Sequence, residues 1–216
     1  MDFERARTAM VDSQIRPNAV TDFDIIRIMS DVPRECFVPA AQRRLSYLDQ
    51  HLSLTDQRAM LSPMRLAQLI QLADIKKTDI VLDVACGTGY AAAIISGLAG
   101  SVVAIDDQAD LVEEATEVLA DLEIGNVAVL HGDLTAGCAK EAPFDVIIVE
   151  GAIESVSAKL KAQLADGGRI VCVEPVNGVL SAVLHTKSAG DIARREAFNA
   201  TVPVLNVFSS AAEFSL

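Results

Sequence analysis

The sequence predicts an α/β fold: a Rossmann-like, doubly wound sheet of about seven strands with helices on both faces and a helical N-terminal extension. Three observations predict it. After Asp79, short β-branched runs alternate with amphipathic segments: I-V-L-D-V, Ala91 to Leu98, V-V-A-I-D, Leu111 to Leu122, V-A-V-L, then D-V-I-I-V. Repeated β-α-β units imply a parallel sheet with right-handed crossovers. The first of these strands breaks into a glycine-rich loop, A-C-G-T-G-Y (Ala85 to Tyr90), that opens onto a helix at the carboxyl end of the strand. Before Asp79 the apolar spacing is helical instead.

The elements follow in order. Residues 1–78 form the extension: Ile25, Ile28 and Met29 follow a Thr21/Asp22 cap, and Leu66, Leu69, Ile70 and Ala73 make a stripe after Pro63 in a first turn. Residues 79–216 form the Rossmann-like core. There Gly167-Gly168 precedes the strand R-I-V-C-V, and the tail offers V-L-S-A-V-L-H-T and V-P-V-L-N-V-F, where Pro203 restricts the last run to an edge or a strand start. At 216 residues, 51% hydrophobic and 22% charged, the chain is expected to fold as one domain, 1–216.

Composition excludes several classes of partner. With 30 acidic and 18 basic residues the net charge is −12, a field that repels phosphate backbones and anionic lipid. Neither nucleic acid nor membrane is expected as a partner. The start, M-D-F-E-R-A-R, lacks the apolar core of a signal peptide, and the run from Ala91 to Ile105 is interrupted by Ser96, Gly97, Gly100 and Ser101, so a cytoplasmic location is expected. Cys36, Cys86, Cys138 and Cys172 form no C-x-x-C pair, and His51, His131 and His185 stand apart from them along the chain. Reduced thiols, no metal site and surface or strand-end histidines follow as expectations.

The loop points to an adenosine cofactor. Glycines at 87 and 89 let backbone approach a ligand that a Cβ would push away. The stretch Gly87 to Ala92 matches G-x-G-x-x-A, a weak dinucleotide signal, but Asp83 lies at the strand end four residues earlier. An anion there opposes a pyrophosphate and suits the ammonium and sulfonium of S-adenosylmethionine. Asp106 ends the next strand and can accept from both ribose hydroxyls. Asp133, in H-G-D-L, can accept from the adenine amino group while Leu134 packs on the ring. Cys86 is in the loop by spacing, a small packing residue. The cofactor-binding candidates are therefore Asp83, Ala85, Cys86, Gly87, Gly89, Asp106, Asp107, Asp133, Leu134 and Glu150.

From Met10 to Arg169 the chain resembles the protein-L-isoaspartate O-methyltransferases. The residues that carry the likeness are M-V-x-x-Q-I around Gln14, V-P-R-E-C-F-V-P (Val32 to Pro39), Tyr47-Leu48-Asp49, Pro63, V-L-D-V-A-C-G-T-G-Y, A-P-F-D-V-I-I-V (Ala142 to Val149), Gln163-Leu164 and Gly167-Gly168-Arg169. The resemblance implies a class I S-adenosylmethionine-dependent enzyme of protein repair, methylating the carboxylate of isoaspartyl residues in damaged proteins. The methyl ester then closes to a succinimide that can open to normal aspartate. It implies a protein or peptide substrate; a monomer or homodimer is expected. The acceptor carboxylate is ionised at neutral pH, so placement and desolvation must supply the rate, without a nucleophile.

The chain departs from the family pattern at several positions. Where the family reads Q-T-I-S-x-P, this chain has Arg58-Ala59-Met60-Leu61-Ser62-Pro63, with Leu61 in place of the serine that places the acceptor. Arg58 and Ser62 become the candidates for acceptor placement. Ala85 replaces the first loop glycine, and Glu150 and Glu154 add carboxylates after the fourth strand. The alternative reading is a homologue that binds S-adenosylmethionine but uses another acceptor, with Glu150 or Glu154 as a base, or serves as a non-catalytic binding protein.

Overall fold

The computed structural model describes residues 1–209. The extension holds helix α1 (Phe3–Met10), a π-helical turn at Val11–Ile15 and helix α2 (Phe23–Asp31). Asp22 starts α2 as expected: its Oδ1 accepts the N–H groups of Asp24 at 2.8 Å and Ile25 at 3.1 Å. The extension is not helical throughout. Strands β1 (Leu52–Ser53) and β2 (Ala59–Met60) form a small antiparallel hairpin ahead of helix α3 (Pro63–Ala73). The hairpin tip is closed locally: the N–H groups of Leu54 and Thr55 donate to the Arg58 carbonyl, and Thr55 Oγ1 accepts from the Gln57 and Arg58 N–H groups. A hydroxyl that captures backbone two and three residues on competes with a helix, which overrides the helical apolar spacing here.

The core comprises β3 (Ile80–Val84), α4 (Tyr90–Ser96), β4 (Ser101–Asp106), α5 (Ala109–Asp121), β5 (Val127–His131), β6 (Phe144–Ala152), α6 (Ala158–Ala162), β7 (Leu164–Val176), β8 (Val179–Ser188) and β9 (Asp191–Asn199). They form a seven-stranded sheet in the order β5-β4-β3-β6-β7-β8-β9, parallel as far as β7 and antiparallel beyond. Sheet order reverses at β3 and β6, which is where a doubly wound fold opens its ligand crevice. The two hairpins turn at Asn177-Gly178 (φ 51° and 83°) and Ala189-Gly190 (φ 52° and 89°), pairs of left-handed residues that match strand twist. The run V-P-V-L-N-V-F is not a strand of this sheet. Val204 makes an isolated parallel bridge with Ala152, and Leu205 and Phe208 pack on the core.

The two faces of the sheet are covered unequally. Against one face lie α2, α3 and α4, with Ile25, Leu66, Ile70 and Ile94 packed on Val81, Val102, Val146 and Ile148. The other face, lined by Leu82, Val84, Ile105, Ile147 and Val149, is covered by Leu160 of α6 together with Leu205 and Phe208. Arg169 of β7 ties the end of α3 to the sheet, donating to the carbonyls of Ala73 and Asp74 and to Asp79 Oδ2 at 2.7 Å. The cation sits where the helix carbonyls have no intrahelical donor.

Candidate functional site

Alternation along the strands assembles the site. Asp83 pairs in register with Ala104 on one side and Ile148 on the other. Side chains two apart share a face, so Asp106 and Glu150 stand on the same face as Asp83, each two residues further along its strand. Three carboxyls thus surround the mouth of the crevice, all three buried. Among the described residues neither Asp83 oxygen nor Oε1 of Glu150 meets a hydrogen-bond donor, and the two carboxyls are neighbours. Burial pushes the Asp83 carboxyl up to about 7, helped by the Asp106 charge, and raises Glu150 well above the usual carboxylate range, helped by Asp83.

The loop beneath them is strained. Ala85, Gly87 and Gly89 all have positive φ, at 67°, 56° and 88°. The N–H groups of Ala85 and Cys86 donate to the Ile105 carbonyl, at 2.9 and 3.1 Å, which fixes the turn against β4. Cys86 is buried, its thiol pushed well up by desolvation, and it packs rather than reacts. The motif V-P-R-E-C-F-V-P clamps this loop from above. Arg34 is fully buried, donates to the carbonyls of Ser46 and Leu61 at 2.6 Å each, and lies 4.6 Å over the Tyr90 ring. Thr88 Oγ1 donates to the Phe37 carbonyl at 2.6 Å. In the sequence this segment is a family signature or a helix followed by a proline-bounded extended run; an arginine between two prolines and apolar neighbours is the available signal for a buried clamp.

Asp106 is the most heavily engaged of the three. Its Oδ2 accepts Arg58 Nε at 2.8 Å and the Gly87 N–H at 2.9 Å; its Oδ1 accepts Arg58 Nη2 at 3.2 Å and the Gln108 N–H at 3.1 Å. Arg58 Nη2 also donates to Asp107 Oδ1 at 2.6 Å. The Arg58 side chain is only 3% exposed, whereas Asp107 is 34% exposed. Beside this pair lies a cleft of 360 Å³ walled by Gln57, Asp107, Leu205, Asn206 and Val207. Leu205, Asn206 and Val207 of the C-terminal segment therefore border the site; the segment beyond Ser209 lies outside the described residues.

The remaining candidates are distributed less tightly. Asp133 is exposed, and its Oδ1 accepts from Thr135 N–H, Thr135 Oγ1 and Ala136 N–H, bonds that hold its carboxyl below the usual range. Leu134 is fully buried in the cluster under the second face, not presented to an open surface. Leu61 is likewise fully buried, so it is a core residue and does not line the cleft. Ser62 is buried ahead of α3, its N–H donating to His51 Nδ1 at 3.0 Å, and its hydroxyl makes no cap bond. His51, half-buried, bridges on to the Thr201 carbonyl at 3.2 Å.

His185 corrects the expectation of surface or strand-end histidines. It is buried in the middle of β8, where antiparallel pairing with Ile170 puts it beside Cys172 and Glu174. The ligand atoms of these three lie within 4.8 Å of one another, a convergence that spacing along the chain does not reveal. Glu174 binds His185 Nε2 at 3.0 Å through Oε1 and Arg194 Nε at 2.9 Å through Oε2, and the Cys172 thiol donates to the same Oε1 at 3.5 Å. Both Glu174 oxygens are thus matched by protein donors, and Glu174 with Arg194 forms an ion pair.

The family model described as Protein-L-isoaspartate(D-aspartate) O-methyltransferase matches residues 5–204. The chain belongs to that family. A protein-L-isoaspartate O-methyltransferase of Roseiflexus castenholzii is 37% identical over 197 residues, 91% of this chain and 89% of that one. One from Methanoculleus marisnigri is 34% identical over 167 residues, 77% and 76% of the two chains. A solved protein-L-isoaspartate O-methyltransferase superposes with a TM-score of 0.81 at 23% identity, covering 92% of this chain and 65% of that one. Another, from Plasmodium falciparum and in complex with S-adenosyl-L-homocysteine, gives 0.78 at 18% identity, covering 92% and 97%. This methyltransferase is accordingly an S-adenosylmethionine-dependent O-methyltransferase, and the seven-stranded sheet is the family fold. No helix among the described residues is long and apolar enough to cross a membrane.

Proposed function

We propose that this methyltransferase esterifies the carboxylate of isoaspartyl residues in proteins, with the crevice above Asp83 as its cofactor site. The observation that carries this reading is the pair of buried, donor-less carboxyls, Asp83 and Glu150, over a positive-φ loop. Buried carboxyls without donors are costly unless a ligand supplies the missing charge. A cationic ligand fits that demand, and S-adenosylmethionine, when bound, supplies an electrophilic methyl group beside its own positive charges. Gly87 gives the backbone its close approach, while Gly89 makes room for Ala115 and Leu119 of α5. Asp106 is the carboxylate for the ribose hydroxyls, and Asp133 is the acceptor for the adenine amino group.

The residues need do little proton chemistry. An isoaspartyl carboxylate is ionised at neutral pH, so the protein has only to place it and strip it of water. Arg58, paired with Asp106, is the cation at the crevice and stands in for the missing serine; Ser62, its backbone held by His51, is the second candidate for placing the acceptor. Leu61 presents no obstacle, since its side chain is in the core. The test is transfer of labelled methyl from S-adenosylmethionine to an isoaspartyl peptide and to its aspartyl twin. Base-labile label on the first alone is expected; equal labelling of both, or of neither, refutes the isoaspartyl reading.

A further inference from the structure

A carboxylate offers about four acceptor sites, and protein N–H groups fill all four on Asp106. Two of those donors are backbone amides of the loops that shape the crevice, Gly87 and Gln108. The other two belong to one side chain, Arg58. A ribose diol that binds Asp106 must therefore displace the guanidinium, because nothing else there can leave without unmaking the fold. Leu54, at the same hairpin tip, points its Cδ1 to within 2.7 Å of where a Cβ on Gly87 would lie, so the tip covers the glycine as well as the carboxylate. The tip itself is lightly packed, with Ser53, Asp56 and Gln57 exposed.

We infer that Arg58 is an exchange residue: held by Asp106 until the ribose of the cofactor takes that carboxylate, then released to pair with the carboxylate of the acceptor. The proposal rests on the reading of Asp106 as the ribose-binding residue. Asp107 is the pivot, since its single bond to Arg58 Nη2 does not involve Asp106 and its side chain already faces the cleft. The exchange solves an electrostatic problem of the site. Asp106 and Asp107, joined by Asp83 once the cofactor's charge favours its ionised form, make the crevice acidic, in a chain of net charge −12, and an anionic acceptor is repelled until a cation is free to meet it. Arg58 in its fork on Asp106 is neutralised; turned toward the cleft, it presents a planar pair of donors suited to a carboxylate. Binding is then ordered, cofactor before acceptor, and the two ligands are coupled through one side chain.

The probes are S-adenosyl-L-homocysteine and an isoaspartyl peptide, bound separately and together, to the full chain and to Arg58→Gln. In the unaltered protein, saturating S-adenosyl-L-homocysteine is expected to tighten the peptide by about tenfold. In Arg58→Gln, S-adenosyl-L-homocysteine should bind about tenfold tighter, because its competitor is gone, while the peptide binds weakly and equally with or without it. Arg58→Lys, which keeps the charge without the fork, should restore part of the coupling. Unchanged or weaker S-adenosyl-L-homocysteine binding by Arg58→Gln overturns the exchange, as does tighter binding with coupling intact. Asp106→Asn separates this from failure of the underlying reading: if that variant binds S-adenosyl-L-homocysteine as well as the unaltered chain, Asp106 does not hold the ribose and both fall. Thermal melts of each variant guard against loss of fold.

Discussion

Two groups of buried acids in this protein are handled in opposite ways. Asp83 and Glu150 lie under the crevice with three oxygens lacking a donor among the described residues, and burial drives both carboxyls upward, Asp83 to about 7. Glu174, on β7, is equally hidden, yet its bonds to His185 and Arg194 outweigh the cost of burial and pull it down to about 2. The difference teaches where a ligand belongs. A buried acid that the protein has already paired is structural, while one left without donors awaits a cation from outside.

The comparison is sharpened first by neutralising each acid. Asp83→Asn is expected to weaken S-adenosyl-L-homocysteine binding by about 100-fold, the loss of a desolvated charge-assisted contact, while the melting temperature holds or rises because a strained carboxyl is gone. Glu174→Gln should do the reverse, costing about 1.5 kcal/mol of stability by weakening the bond to buried His185 while half-exposed Arg194 turns to solvent, and leaving cofactor affinity unchanged. Calorimetric titration and urea unfolding of both variants read the two axes. If Asp83→Asn destabilises the fold and spares binding, the contrast is wrong.

Acidity tests the same contrast with a smaller effect. Asp83 has a folded pKa raised from 3.8 to about 7, so the folded chain holds that proton more tightly than the unfolded one. Its contribution is present below pH 3.8 and is lost as pH rises through 7. Glu174 is lowered from 4.5 to about 2, so its contribution is present above pH 4.5 and is lost as pH falls toward 2. The α-ammonium of S-adenosyl-L-homocysteine favours ionised Asp83, hence affinity for this ligand should climb by up to about tenfold per pH unit approaching 7 and then level off. Titrations between pH 5.5 and 8.5 show the slope, and Asp83→Asn should flatten it.

The sequence was most legible where one strand face repeats. Period-two alternation marks Val81, Asp83 and Val102, Ala104, Asp106, so a reader of the chain alone can place both acids beside the loop. The partners of those acids were not legible. Arg58 meets Asp106 across 48 residues, and the hairpin that carries it was expected as part of a helical extension. Strand β9, D-I-A-R-R-E-A-F-N, escaped notice because an edge strand needs no apolar face, although Asn177-Gly178 announces the hairpin that leads toward it. The cluster of Cys172, Glu174 and His185 depends on the pairing of β7 with β8, information that no spacing rule carries.

The smallest effect concerns the loop itself. Ala85 stands where the family has glycine, at φ 67°, with its N–H fixed to the Ile105 carbonyl. A Cβ in the left-handed region costs about 1 kcal/mol, and the unfolded chain of an alanine has less entropy to lose than that of a glycine, which offsets part of it. Ala85→Gly is therefore expected to stabilise the fold by at most about 1 kcal/mol, or to leave it unchanged, with cofactor affinity altered by less than about threefold. Because Ala85 lies beside the donor-less acids rather than in the matched cluster, any gain should be measurable without bound ligand and should persist in Glu174→Gln. A clear loss of stability in Ala85→Gly would mean that the methyl group packs favourably in the buried loop by more than its backbone strain costs, making Ala85 a core residue first and a strained loop residue second.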